Sequence, residues 1–135
     1  MGIGQRLFLN NCAQCHGSDA RGSKGFPSLA DDDWLGAHAL ADVKKTIVEG
    51  RIGMMPPMAA AVGDSDAVKN VAQYVLSLSG SAHNAIAAQL GKPKFAVCAA
   101  CHGADGKGNQ AIGAPSLADD VWLHGWGEAA IISII

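Results

Sequence analysis

Cys12-Ala13-Gln14-Cys15-His16-Gly17-Ser18-Asp19-Ala20-Arg21-Gly22 returns later in the chain as Cys98-Ala99-Ala100-Cys101-His102-Gly103-Ala104-Asp105-Gly106-Lys107-Gly108. A second pair follows. Pro27-Ser28-Leu29-Ala30-Asp31-Asp32-Asp33-Trp34-Leu35 returns as Pro115-Ser116-Leu117-Ala118-Asp119-Asp120-Val121-Trp122-Leu123. Self-similarity of this kind marks one structural unit written twice. Between His and Pro the second copy carries two extra residues, in a Gly-rich stretch where added loop length costs little. The first copy runs on to about Gly80, whereas the second reaches Ile135 before any counterpart of Gly50-Arg51. The expected organisation is a first domain over 1–80, a linker over 81–90 with a hinge near Ser79-Gly80-Ser81, and a C-terminally truncated second domain over 91–135.

Periodicity gives an all-α reading. Ile3 to about Ala13 is a short helix, with Ile3, Leu7 and Phe8 on one face. Gly17 to Asp33 is rich in Gly and Asp and reads as loop. Ala39 to Glu49 has Leu40, Val43 and Ile47 at helical spacing, and Gly50 stops it. Asp64 or Ser65 caps a helix to about Leu78, with Val68, Val71, Ala72, Val75 and Leu78 facing the core. Pro93 suits the first turn of a helix leading into Cys98, and Glu128 to Ile135 repeats the start of the third helix. No stretch carries a strand pattern.

Composition narrows the function classes. The formal charge of −2 provides no basic stripe, so no nucleic-acid partner is expected. Apolar residues make up 49% of the chain but aromatics only 5%, a balance suited to lining a large apolar cofactor. No apolar run approaches the ~20 residues that span a bilayer.

All four Cys lie in the two C-x-x-C-H motifs. Four Cys in a small chain can mean a disulfide framework or a zinc site, but neither explains a His directly after each pair. A thioredoxin-like motif would need a βαβ pattern, which is absent. C-x-x-C-H puts two thiols and an imidazole on one turn leading into a helix. The thiols can form thioethers with haem vinyl groups, and the His can give iron its proximal nitrogen. The expected cofactors are therefore two haem c groups. One is held by Cys12, Cys15 and His16 and the other by Cys98, Cys101 and His102. Because c-type haem is attached outside the cytoplasm in most bacteria, an export signal or membrane anchor is expected upstream of Met1.

A proximal His usually donates its other ring N–H to a carbonyl. Pro27 and Pro115 are the candidate carbonyls, with Leu29 and Leu117 placed to meet the haem face. A thioether sixth ligand would raise the potential and close the iron to small ligands. The loop Gly50-Arg51-Ile52-Gly53-Met54-Met55-Pro56-Pro57-Met58 offers three. Met55 is chosen because Pro56 stiffens the loop, with Met58 second; the others fill packing gaps. No Met lies between Met58 and Ile135, so the second haem is expected to lack a thioether from its own copy. Its iron would be five-coordinate, water-bound or captured by His83 or His124. His38, His83 and His124 otherwise read as surface residues, and Trp34 and Trp122 as core. Arg51 reads equally as a propionate partner or a solvated side chain. The Asp31–Asp33 and Asp119–Asp120 runs read as solvated loop edges.

The pattern C-x-x-C-H-G-x-D, then P-S-L-A-D-D-x-W-L, then G-R-x-G-x-M-P, resembles the two-haem subunit III of cbb3-type cytochrome c oxidases. That resemblance implies two tandem class I cytochrome c domains facing the periplasm, behind an N-terminal membrane anchor. It also implies an electron carrier that is not itself an enzyme but belongs to an oxygen-reducing complex. The implied partners are the other oxidase subunits and a donor cytochrome c or bc1 complex, at the periplasmic face of the inner membrane. By the same resemblance, His16 and Met55 ligate the first iron and His102 the second. Gly4 and Phe8 would mark the crossing of the first and last helices of domain one, with Gly91 and Phe95 as counterparts. The Gly-Gly pair that usually follows each Trp-Leu is replaced by Gly36-Ala37-His38 and His124-Gly125-Trp126. A free periplasmic two-haem carrier shares this chemistry without the anchor. A two-haem peroxidase would be much longer and need distal acid–base groups. A haem-based gas sensor would need an output domain.

Overall fold

A computed structural model describes residues 2–135. Met1, where the sequence reading starts the first domain, lies outside the described residues. The elements are α1 (Ile3–Asn11), α2 (Ala13–His16), α3 (Leu40–Glu49), α4 (Ala59–Val62), α5 (Ser65–Leu78), α6 (Ala85–Gly91), a 3-10 turn (Lys92–Phe95), α7 (Ala96–His102) and α8 (Glu128–Ile134). Among the described residues there is no strand, only isolated bridges between Ser23 and Phe26 and between Asn109 and Ala114. The protein is all-α, as its periodicity indicates.

The chain packs as two units. Unit 1 runs to Trp34 and takes in Val121–Gly125; unit 2 comprises Leu35–Asp120 and Trp126–Ile135.

In unit 1, α1 packs on α2 and buries no side chain fully. The single helix expected from Ile3 to Ala13 is interrupted at Cys12, whose N–H still donates to the Phe8 carbonyl at 2.8 Å. Nothing would lie within 4 Å of a Cβ placed on Gly4, and Phe8 is half-buried.

Unit 2 holds every fully buried apolar side chain of the described residues: Val62, Val68, Val71, Ala72, Val75, Leu76, Ala88, Phe95 and Ile131. Its centre is α5. Asp64 caps this helix, its carboxylate accepting from the Ala67 N–H at 2.8 Å. Four of the five residues expected to face the core are buried; Leu78 is half-buried, and Leu76 joins them. The main partner of α5 is α6, with the 3-10 turn and α8 also against it.

Residues 81–90, read as a linker, thus contain most of a helix. Asn84 starts it, its side chain accepting from the Ala87 N–H at 3.0 Å. Ala88 and Gly91 are small enough for α6 to lie directly on α5. A Cβ on Gly91 would run into the carbonyl of Asn70 and come within 2.7 Å of the Val71 nitrogen. Below the crossing, Phe95 is 3% exposed and meets Tyr74 edge-on, with ring centroids 5.2 Å apart. Pro93, expected in the first turn of a helix, sits in the 3-10 turn that joins α6 to α7.

By contrast, α3 forms where expected, with Gly50 at its end in the left-handed region (φ 72°), yet it buries none of its residues. Its Leu40, Ile47 and Val48 are 87%, 77% and 72% exposed.

Phe95→Ala empties a buried site and should cost about 3–5 kcal/mol. Phe8→Ala, at a half-buried position in a unit without a sealed core, should cost clearly less. Urea unfolding of the two variants measures the difference; equal destabilisation would mean that α1 carries a core of its own.

Candidate haem-attachment sites

Each C-x-x-C-H motif ends a helix, and each His caps the turn into a glycine. Gly17 and Gly103 follow at φ 80° and φ 81°, reversing the chain so that the next loop folds back under the imidazole. In the first copy the His16 carbonyl accepts from the Gly22 N–H at 2.7 Å; in the second, the His102 carbonyl accepts from Gly108 at 2.8 Å. Gly22 and Gly108 are required there twice over. Both have positive φ, and a Cβ on either would come within 2.5 Å of a carbonyl oxygen, that of Phe26 or of Ala114. Sequence reasoning missed both glycines, although their recurrence in the two copies is a signal that could have found them.

The loop then brings a proline carbonyl to the imidazole. His16 Nδ1 lies 2.9 Å from the Pro27 oxygen, and His102 Nδ1 lies 2.9 Å from the Pro115 oxygen. A carbonyl can only accept, so Nδ1 carries the proton and Nε2 is the nitrogen with a free lone pair. The two distances agree although the second loop is two residues longer. The extra length is absorbed where Ser23 bridges Phe26 in one copy and Asn109 bridges Ala114 in the other. Beyond the proline the register matches again: Leu29 N–H donates to Ala20 at 2.7 Å, and Leu117 N–H to Gly106 at 2.6 Å.

Asp19 and Asp105 stiffen the loops by accepting from the N–H groups of Arg21 and Lys107, both at 3.2 Å. The backbone hydrogen bond from Lys107 holds the Asp105 carboxyl below its ordinary range.

The two sites differ in cover. His102 is buried (7% exposed), and Leu78 of α5 reaches the backbone of Gly106 behind it. His16 is half-buried, with the Phe26 ring edge-on at 6.0 Å. Cys12 and Cys98 are half-buried, Cys15 and Cys101 exposed, and all four are free thiols. No group of three or more His, Cys, Asp or Glu among the described residues is placed to hold a metal ion directly. The chemistry of each site is instead a thiol pair beside a tautomer-locked imidazole, the donor set that fits a covalently attached haem.

The remaining candidates fall as follows. Met54, Met55 and Met58 lie in unit 2, with His102 and not with His16. Met55 is 44% exposed, Met54 85%, and Met58 half-buried. Arg51 is exposed and its Nε donates to the Thr46 hydroxyl at 2.7 Å. His83 Nδ1 meets the Ser81 carbonyl at 2.8 Å. The Trp34 indole donates to the Asp31 carbonyl at 3.1 Å, turning the acidic run back on itself.

Residues 1–75 match the family described as Cytochrome C oxidase, cbb3-type, subunit III, and residues 88–134 match Cytochrome c. The chain is 70% identical over 125 residues to the Cbb3-type cytochrome c oxidase subunit CcoP of Rubrivivax gelatinosus, covering 93% of this chain and 41% of that protein. It is 44% identical over 142 residues to the FixP subunit of Azorhizobium caulinodans, covering 98% and 48%. It is 39% identical over 143 residues to the CcoP subunit of Cereibacter sphaeroides, covering 98% and 49%. The chain therefore spans less than half the length of these relatives.

Burial pushes the Cys98 thiol above its ordinary value. Before haem attachment, its alkylation by iodoacetamide should need higher pH in the folded chain than in urea, because the thiolate is the nucleophile. Peptide mass spectrometry across a pH series measures this. A folded midpoint at or below the unfolded one would contradict the burial of Cys98.

Proposed function

Because the chain belongs to the cbb3-type cytochrome c oxidase subunit III family, we propose that it carries electrons through two covalently bound c-type haems as the electron-entry part of such an oxidase. The observation that carries the two-haem count is the duplicated imidazole–proline bond, 2.9 Å in both copies. In sequence the attachment units are 1–80 and 91–135, joined through 81–90. Cys12 and Cys15, and Cys98 and Cys101, form the thioethers. His16 and His102 are the proximal ligands, held in the Nδ1–H tautomer by Pro27 and Pro115. The locked tautomer matters because it presents Nε2 to iron and makes the imidazole a better donor. Met55 is the thioether ligand of the first iron, opposite His16, with Met58 the alternative.

Each bound haem would supply a one-electron ferric/ferrous couple. The protein's part is to hold the imidazole rigid, so that little reorganises when charge changes, and to exclude water from one face. His102 is more deeply covered than His16. The partners in this reading are the other oxidase subunits and a donor cytochrome c or bc1 complex. The location is the periplasmic face of the inner membrane, with attachment through an anchor outside these residues. No helix among the described residues is long and apolar enough to cross a membrane.

Protein matured with the haem-attachment machinery should gain the mass of two haems and keep both through acid–acetone extraction. Cys12→Ala/Cys15→Ala and Cys98→Ala/Cys101→Ala should each retain one. A wild-type gain of a single haem would refute the two-haem reading.

A further inference from the structure

We infer that Val121–Leu123, which belong to the second repeat in sequence, act on the first haem site, with Trp122 a positioning residue for His16. They hold the loop that carries the Pro27 carbonyl to the imidazole. The inference rests on the reading of Cys12, Cys15 and His16 as a haem site and adds to it an element from outside its own repeat.

The loop works as a lever. Ser23 and Phe26 exchange backbone bonds at 3.0 and 2.8 Å across Lys24-Gly25, and the Ser23 hydroxyl donates to the Cys15 carbonyl at 2.9 Å. Phe26 stands edge-on to the His16 ring, and Pro27, next in the chain, accepts from His16 Nδ1. Movement of the Lys24-Gly25 tip is therefore transmitted through the Ser23–Phe26 bridge to both groups that orient the imidazole.

What holds the tip comes from the second repeat. The Gly25 N–H donates to the Leu123 carbonyl at 2.8 Å, and Val121–Gly125 pack as part of unit 1. Gly25 has φ 86°, and nothing lies within 4 Å of a Cβ placed on it. Glycine is needed there for conformation and not for room: the positive φ is what lets the N–H reach Leu123. Beside this bond lies a cleft of about 230 Å3, lined by Phe26, Pro27 and Ser28 of the loop and by Val121, Trp122 and Leu123. Trp122 is half-buried and has the largest side chain of its segment, so it limits how far that segment can tilt against the loop.

The second repeat shows why the first loop needs an outside hold. Its loop, two residues longer, bonds its own tip. Ile112 and Ala114 donate to the Asn109 carbonyl at 3.3 and 3.0 Å, Gly113 donates to Gln110 at 3.4 Å, and Ala111 donates to the Asn109 side chain at 3.0 Å. The shorter Lys24-Gly25 tip meets its Gly25 N–H from Leu123 instead. An imidazole that donates to a carbonyl is a stronger ligand and favours ferric iron. Slack at the tip therefore weakens the His16–Pro27 bond and raises the potential of the first haem.

The test uses the full 135-residue chain carrying both haems, in the reduced state for proton resonance. Trp122→Ala should speed exchange of the Gly25 amide and the His16 Nδ1 proton roughly tenfold, about the loss of one hydrogen bond. It should also raise the first haem's potential. Trp122→Phe, which keeps a ring beside the loop, should restore most of both. A response at the His102 haem alone, or a fall in the first potential through simple opening to water, overturns the inference. Replacing Ser23–Phe26 by the sequence of Asn109–Ala114 should make the first haem indifferent to Trp122→Ala; an undiminished response there overturns it as well. One measurement needs no variant to fold. In the unsubstituted chain, a scalar coupling between the Gly25 nitrogen and the Leu123 carbonyl carbon should report the bond directly, and its absence overturns the inference. A chain that gains no haem at Cys12 and Cys15 by mass overturns the haem reading instead.

Discussion

Two helix backbones can touch only where a side chain is missing, and in this protein that place is Gly91. Its absent Cβ lets α6 lie on the Asn70–Val71 backbone of α5, and the surrounding core follows from that approach. Phe95 is carried to the face of Tyr74, and α7 is aimed so that His102 enters covered ground. Helix–helix interfaces derive most of their stability from apolar area removed from water, at about 25 cal/mol per Å2. A crossing that admits direct backbone contact brings the flanking Val68, Val71, Val75 and Leu76 into full burial. Without it the same side chains would form an amphipathic stripe with no partner.

The attachment loops obey a different constraint. Each must reverse direction directly after the His and return a carbonyl to the imidazole's far nitrogen. Glycines at positive φ make the reversal, Asp19 and Asp105 hold its next turn, and Pro27 and Pro115 present the carbonyl. These contacts all lie within one loop, the imidazole–proline bonds closing it over 11 and 13 residues, so the loops form the same way whatever packs around them. That explains why His16 and His102 keep identical 2.9 Å bonds although one is half-buried in a unit without a sealed core and the other is buried. It also explains how two inserted residues are tolerated: they lengthen the bridge from Asn109 to Ala114 and leave both ends of the loop in register.

Local sequence signals are accordingly legible. The capped start of α5 at Asp64, the stop of α3 at Gly50, the all-α class and the proline partners of both imidazoles follow from motifs and 3.6-residue spacing. Gly22 and Gly108 are less visible because a close approach to a carbonyl leaves no trace except recurrence. The helical character of Ala85–Gly91 is hidden for a related reason. Its residues Ala-Ile-Ala-Ala-Gln-Leu-Gly show little amphipathic contrast, and their smallness acquires meaning only once α5 lies against them.

What the sequence by itself determined is thus everything held within one loop or one helix: two thiol pairs, two tautomer-locked imidazoles, and where most helices begin and end. Only the tertiary structure decided that α5 packs on α6 and on the 3-10 turn leading into α7. The backbone approach at Gly91 settled it, and that approach has no value until the two segments meet.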